Sequence, residues 1–318
     1  FWLKFRRESW AGPAKKAHAA AMSILLLRAP VVPTRRLARV PAAACAGDVP
    51  LTAQAMASMP VTFAARGGPQ AGRKRVLCYG DSLTAGFYAH GRCFEPYGRT
   101  LMEALAAAGV PCDVLVCGCS GITAQEMVAG MGSFVVDVVG CRGKGLERIL
   151  AEDGPFDLAI IMAGTNDMGV GAPHETILRS LCSLHAACHA RGVPTVGLAP
   201  PPAPRRTAGC EVSRRRLVGL LQTVSAGLPG LAAYADPGTW LLGPGAGEVF
   251  EADGLHLLPA GSRLLGRHLA ALAASLLAES AARQAPAPAL RQRPRCGEAV
   301  QVPSIRSSAL DLVRRGPP

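Results

Sequence analysis

Aromatic residues are scarce in this chain, with 8 Phe, 4 Tyr and 3 Trp among 318 residues, and acids are few, 22 against 34 Lys and Arg. Charged residues make up only 18% of the chain, but 49% is hydrophobic, so wholesale disorder is excluded and a sizeable core can be buried. Long apolar runs are missing. Ile24–Leu27 with its Ala-rich approach and Leu269–Ala278 fall short of the roughly 18–20 residues that span a bilayer, so no transmembrane segment is expected. Regular cysteine spacing is absent too. The 11 cysteines are an odd number, and Cys78, Cys112, Cys117, Cys182 and Cys188 lie in apolar or helical stretches, which suits free buried thiols in a reducing compartment.

The formal charge of +12 is confined to the ends. Residues 1–72 carry +8 and residues 283–318 carry +5, which leaves −1 for residues 73–282. A basic protein invites nucleic acid or an anionic membrane surface as partner. Here the middle is neutral and its aromatics do not interleave with its cations, so no nucleic-acid partner is expected.

The first seventy residues alternate Ala, Pro and Arg with little apolar periodicity. Met22–Leu27 followed by Arg28, Arg35, Arg36 and Arg39 is acid-poor, in the manner of an organelle transit peptide, while the short apolar stretch ending in Ala42–Ala46 reads alternatively as a signal-peptide core and cleavage site. The chain opens on Phe1 rather than Met, so an incomplete start or translation from upstream is expected. The expected organisation is a disordered or targeting extension over 1–72, one domain over 73–282, and a disordered basic tail over 283–318 opening on APAPALRQRPR. The expected location is an organelle, and otherwise the cytoplasm.

From Arg73 onward, apolar runs alternate with helical patterns. Strands are predicted at Arg75–Gly80, Cys112–Cys117, Asp157–Ala163 and Val193–Leu198, with a short one at Leu231–Ala235. Helices are predicted at Pro96–Ala108, Thr123–Ala129, Pro173–Arg191, Glu211–Ala226 and Pro259–Gln284. Residues 130–145 are rich in Gly and show one mostly apolar run, Phe134–Val139. Continuous apolar strands alternating with helices predict a doubly wound α/β domain with a parallel sheet covered on both faces. Ligands bind such sheets at the carboxyl ends of the strands, where the connections reverse direction.

The residues at those ends fit acyl transfer by a serine. Gly80-Asp81-Ser82-Leu83-Thr84 follows the first strand, Gly118-Cys119-Ser120-Gly121-Ile122-Thr123 the second and Gly164-Thr165-Asn166-Asp167 the third, and Asp253-Gly254-Leu255-His256 precedes the last helix. A serine hydroxyl needs a base, which His256 supplies, and the imidazole needs a carboxylate to fix its tautomer, which Asp253 supplies from the same turn. The oxyanion needs hydrogen-bond donors: the backbone N–H groups of Ser82 and Gly121 and the amide of Asn166. Asp81 and Asp167 are expected to brace the loops, and Ser82 taken alone reads as a helix cap. The Gly-x-Ser-x-Gly elbow of α/β-hydrolases is not met, since Thr84 stands where its second glycine would be.

These blocks resemble the SGNH (GDSL-type) hydrolases, which include lipases, arylesterases, thioesterases and carbohydrate esterases. The resemblance covers residues 73–282. It matches Gly80–Thr84 with Ser82 as nucleophile, Gly121 in Ser-Gly-x-Thr ahead of Gly118 as the oxyanion glycine, Gly164–Asp167 with Asn166 as donor, and Asp253–His256. It implies a three-layer α/β/α sandwich around a five-stranded parallel sheet, flavodoxin-like in order. It also implies a serine esterase of short-chain or aryl esters that works through an acyl-enzyme and needs no cofactor. An acyltransferase using the same serine and a non-catalytic binding protein of the same fold are the alternatives.

Three other features are weighed. Cys182, His185, Cys188 and His189 lie on one predicted helix, but only Cys182, His185 and His189 share a face and no fourth ligand is evident, so no metal is expected. Gly140-Cys-Arg-Gly-Lys-Gly lacks the phosphate-loop pattern. Arg205, Arg206 and Arg214–Arg216 read as a solvated basic face with at most a minor pull on anionic substrates. The loops 87–94, 130–145 and 239–250 are expected to wall the substrate pocket, with Phe87, Tyr88, Phe94 and Trp240 as apolar contacts.

Overall fold

The computed structural model describes residues 50–65, 73–244 and 247–284. It opens with a short strand, β1 (Leu51–Thr52), and a single helical turn, α1 (Ala53–Met56), which Thr52 caps by accepting from the Ala55 N–H. Next comes β2 (Val61–Phe63), whose Val61 and Phe63 are buried. The strand β3 (Lys74–Gly80) enters the core with its last five residues buried. It leads straight into α2 (Ser82–Ala85), one buried turn that Asp81 caps by accepting from the Leu83 N–H at 3.0 Å. The pieces β4 (Phe87–Tyr88) and β5 (Cys93–Phe94) pair antiparallel, and β1 joins them to make a small outer sheet.

The helix α3 (Tyr97–Ala107) packs on β6 (Cys112–Gly118). Close packing is possible because Gly98 lacks a side chain where a Cβ would strike Val116. Thr123 and Glu126 form a reciprocal capping box that starts α4 (Ala124–Ala129). The hairpin of β7 (Phe134–Val136) and β8 (Arg142–Lys144) and the helix α5 (Leu146–Glu152) follow. The strand β9 (Leu158–Met162) is buried throughout and is succeeded by the turn α6 (Thr165–Gly169), α7 (His174–His189) and β10 (Thr195–Leu198). The chain then passes through α8 (Ala208–Ser225), β11 (Leu231–Ala235) and α9 (Gly238–Leu241) to the long helix α10 (Pro259–Gln284). No helix among the described residues is long and apolar enough to cross a membrane.

The main sheet runs β11-β10-β9-β3-β6-β2. Its first five strands are parallel, as expected, in the order of a flavodoxin-like sheet. The helix α3 packs on β6, while α4, α5 and α8 each pack against α7, so helices cover the sheet as an α/β/α sandwich. The chain leaves β3 toward β6 and returns through β9 on the far side, so β3 and β9 flank the switch point.

Two expectations are corrected. The sheet has a sixth strand, because β2 adds antiparallel to the edge of β6. The folded domain therefore begins ahead of residue 73. Residues 50–65 belong to it, burying Met56, Val61 and Phe63 and closing an edge that would otherwise present unpaired backbone groups. The segments 1–49 and 285–318, where a targeting extension and a basic tail are expected, lie outside the described residues. Residues 130–145 fold as the β7–β8 hairpin.

Candidate active site

Ser82 is the first residue after β3 and its cap, and it is buried. Asp81, not Ser82, caps the short helix, which leaves the serine hydroxyl for other work. It lies 3.1 Å from His256 Nε2. The sequence places these residues 174 positions apart, and the switch point brings them together.

His256 is held by its own turn. Asp253 Oδ1 accepts from the backbone N–H of Leu255 at 2.9 Å and of His256 at 3.0 Å, while its Oδ2 lies 2.6 Å from the ring Nδ1. Burial works to raise the Asp253 carboxyl, but the His256 ring and these backbone N–H groups outweigh it and hold the group well below the usual carboxylate range. An ionised carboxylate can only accept, so Nδ1 carries the ring proton and Nε2 of the neutral imidazole presents a lone pair to the Ser82 O–H. The Phe87 ring packs against the imidazole at 4.6 Å between centroids.

Asp81 is fully buried beneath this pair. Burial pushes its carboxyl up to about 7, against the opposing pull of the Leu83 N–H and the nearby His256. Asp167 braces a neighbouring loop as expected, since its Oδ2 accepts from the Ala124 N–H at 2.7 Å.

The loops after β6 and β9 bring Gly121 and Asn166 to the same cleft. Gly121 adopts φ +71°, a left-handed turn that glycine makes without strain. The Cys119 N–H donates to Gly80 O at 2.8 Å, tying this loop to the end of β3. The Asn166 amide donates to Ile122 O at 3.0 Å, tying it to the loop after β9. Its second N–H is left over, and Asn166 and Gly121 line the same cleft as Ser82 and His256. Sequence reasoning missed Asp137. From the β7–β8 hairpin its carboxylate accepts from the N–H groups of Ser120, Val139 and Cys141, fixing the residue next to Gly121. An Asp inside a glycine-rich stretch was the signal for such a turn.

The cleft measures about 910 Å³ including its open mouth. Its apolar walls are Met168 and Val170 from the end of α6, Pro201 and Ala203 from the connection after β10, and Leu255; Arg206, Cys210, Glu211, Ser213 and Arg214 also line it. The expected walls are thus corrected, because no described residue of the loops 87–94, 130–145 and 239–250 lines the cleft. Phe87 supports His256 instead, Phe94 lies in the core, and Trp240 stacks on His268 at 5.1 Å. The connections that follow β9 and β10 stand beside the switch point and take the wall positions. Nor is the basic cluster wholly solvated, for Arg214 is buried and bound to Glu211 and Asp236.

The suspected ligand helix has another arrangement. His185 Nδ1 and His189 Nε2 both lie 2.8 Å from the Thr195 hydroxyl, and burial, with His189 beside it, lowers His185 to about 4. Among the described residues, the grouping with ligand atoms close enough to share an ion is Glu251, Asp253 and His256, within 4.8 Å. Hydrogen bonds already occupy it: Glu251 Oε1 accepts from the Ala89 N–H at 2.7 Å, and Asp253 holds the ring. Every described cysteine is a free thiol, with Cys78, Cys112, Cys117 and Cys188 buried.

A family model described as the GDSL-like lipase/acylhydrolase family matches residues 78–264. The chain is also similar to solved structures. The lipase/acylhydrolase from Enterococcus faecalis is 23% identical over 64% of this chain and 96% of that one, with a TM-score of 0.47. A member of the lipolytic protein G-D-S-L family from Veillonella parvula is 19% identical over 63% and 97%, with a TM-score of 0.47. A variant of an acetylxylan esterase from Geobacillus stearothermophilus is 17% identical over 63% and 93%, with a TM-score of 0.47. No curated protein matches the chain.

Proposed function

The chain belongs to the GDSL-like lipase/acylhydrolase family, and from that premise we propose that it is a serine-dependent hydrolase of carboxylic esters that forms an acyl-enzyme on Ser82. The observation that carries the reading is the continuous hydrogen-bonded line from Ser82 Oγ to His256 Nε2 (3.1 Å) and from Nδ1 to Asp253 (2.6 Å), opening on an apolar cleft.

In this reading an ester carbonyl enters the cleft beside Ser82. As Oγ attacks the carbonyl carbon, its proton passes to Nε2, and Asp253 stabilises the imidazolium that forms. Negative charge gathers on the carbonyl oxygen, where the N–H groups of Ser82 and Gly121 and the free N–H of Asn166 are the donors that strengthen in the transition state. The imidazolium returns its proton to the leaving alkoxide, the alcohol departs, and Ser82 holds the acyl group. Water then attacks, with Nε2 again taking the proton, and releases the acid. The His256 imidazole carries every proton transfer between Ser82, the leaving alcohol and water, with Asp253 staying ionised beside it, so the reaction calls for no cofactor. The cleft suits a short-chain acyl or an aryl group against Met168, Val170, Pro201, Ala203 and Leu255.

The test is an ester panel with wild type and Ser82→Ala, coupled to labelling with a fluorophosphonate probe. Wild type should hydrolyse short-chain or aryl esters and take the label, and folded Ser82→Ala should lose both. Equal turnover by the alanine variant rejects the mechanism. A wild-type protein that neither turns over ester nor labels makes the fold a binding module instead.

A further inference from the structure

We propose that Arg206 is a specificity residue, an anion-binding position in the Ser82 cleft that selects carboxylic esters bearing a carboxylate several bonds from the scissile carbonyl. The proposal rests on the esterase reading above and deepens it.

Five arginines gather around the start of α8, and four of them are spoken for. Arg205 pairs with Glu248 at 3.0 Å, Arg214 with Glu211 at 3.0 Å and Asp236 at 2.8 Å, Arg215 with Glu211 at 3.1 Å, and Arg216 with Glu175 at 3.6 Å. Arg206 is half-buried, lines the same cleft as Ser82 and His256, and has no ion pair or side-chain hydrogen bond among the described residues. Arg214 and Arg215 balance Glu211 and Asp236, so Arg206 leaves this wall with one uncompensated positive charge. A guanidinium at the edge of an apolar cleft, where water is partly excluded, is a directional donor for a carboxylate.

Its place relative to the reacting groups is held by packing. The Arg206 N–H donates to Ala203 O at 2.9 Å, closing a turn. Gly254, at φ +66°, lies so close to this turn that a Cβ there would strike Arg205. The segment carrying Arg206 is therefore pressed against the turn carrying Asp253 and His256. Met168, Val170, Pro201, Ala203 and Leu255 supply the apolar surface of the same cleft. The matching ligand has an ester carbonyl at Ser82, a short apolar spacer, and an anion at Arg206.

The anion can sit on the acid or the alcohol half of the ester, and two matched pairs separate these. The acyl pair is para-nitrophenyl hexanoate and the mono-para-nitrophenyl ester of adipate, of equal chain length. The alcohol pair is the hexanoate ester of para-hydroxyphenylacetate and that of its methyl ester. Wild type should favour the charged member of one pair. Arg206→Met should lower the charged-to-neutral ratio of kcat/KM in that pair about ten-fold, the scale of a partly screened charge-assisted bond. Arg206→Lys should restore much of it, and added salt should erode it. A ratio that Arg206→Met leaves unchanged, or no preference in either pair while the neutral hexanoates are hydrolysed, overturns the proposal and leaves the esterase reading standing. Failure to hydrolyse any member removes both.

Discussion

Asn166 has two N–H groups on one amide, and the site gives them separate tasks. One donates to Ile122 O at 3.0 Å and joins the loops after β6 and β9. The other is the donor proposed for the oxyanion, and its loss should be felt in the transition state rather than in binding. Asn166→Ala is expected to cost about 2.7–4 kcal/mol of transition-state stabilisation, a drop in kcat on the order of 10²–10³ with KM little altered. Steady-state kinetics on an activated ester checks this, and a kcat within a few-fold of wild type would take the amide out of that role. That Ser82, Asn166, Asp253 and His256 come together was legible in the sequence, because each is a residue type with distinctive chemistry at a place where the fold class puts ligands. The brace supplied by Asp137 and the packing of Phe87 on the His256 ring were not. Their roles depend on which loop lies against which, and an Asp that holds Ser120 or a Phe that packs on an imidazole has no local pattern to betray it.

The elements divide in the same way. The buried strands β3, β6, β9 and β10 and the helices α3, α7 and α10 were readable because each is long enough to show its period or its continuous apolar run. β2 is three residues long, too short for a period, and sits in Ala- and Pro-rich surroundings that read as an extension. Its burial nevertheless makes it structural: Phe63 is fully enclosed, and β2 covers the edge of β6 that ends at Gly118, on the loop leading to Gly121. Phe63→Ala should therefore destabilise the fold by about 3–5 kcal/mol, the usual cost of emptying a buried phenylalanine site. Urea unfolding measures it. A loss below about 1 kcal/mol, within the range of an ordinary surface change, would return this segment to the extension the sequence suggested.

At the scale of the whole molecule, two buried titratable groups, Asp81 after β3 and His185 on α7, pull the pH dependence of stability in opposite directions. Asp81 is raised from 3.8 to about 7 by burial, so between roughly pH 4 and 7 the folded chain keeps a proton that the unfolded chain has released. Folding then binds a proton, and stability falls as pH rises through that window, by about 4 kcal/mol in all. His185 is lowered from 6.5 to about 4 by burial and by His189 beside it, so between about pH 6.5 and 4 the unfolded chain takes a proton that the folded one refuses. Its contribution is complete above pH 6.5 and is lost as pH falls toward 4, by about 3 kcal/mol. The refusal has a structural cause: Thr195 has one hydroxyl proton to share between His185 Nδ1 and His189 Nε2, an arrangement that both neutral rings satisfy and two cations would strain by repulsion. Because the windows overlap, wild type alone conceals both effects, and each is exposed by subtraction. The unfolding free energy of Asp81→Asn relative to wild type should climb as pH is raised from about 4 to 7, since the amide has no proton to lose. That of His185→Leu relative to wild type should climb as pH is lowered across nearly the same range. Urea titrations at about pH 4, 5.5 and 7 would measure the two differences. A flat line for Asp81→Asn would mean that the carboxyl beneath Ser82 ionises as an ordinary surface acid does, and that the loop after β3 is open to water in a way its complete burial forbids.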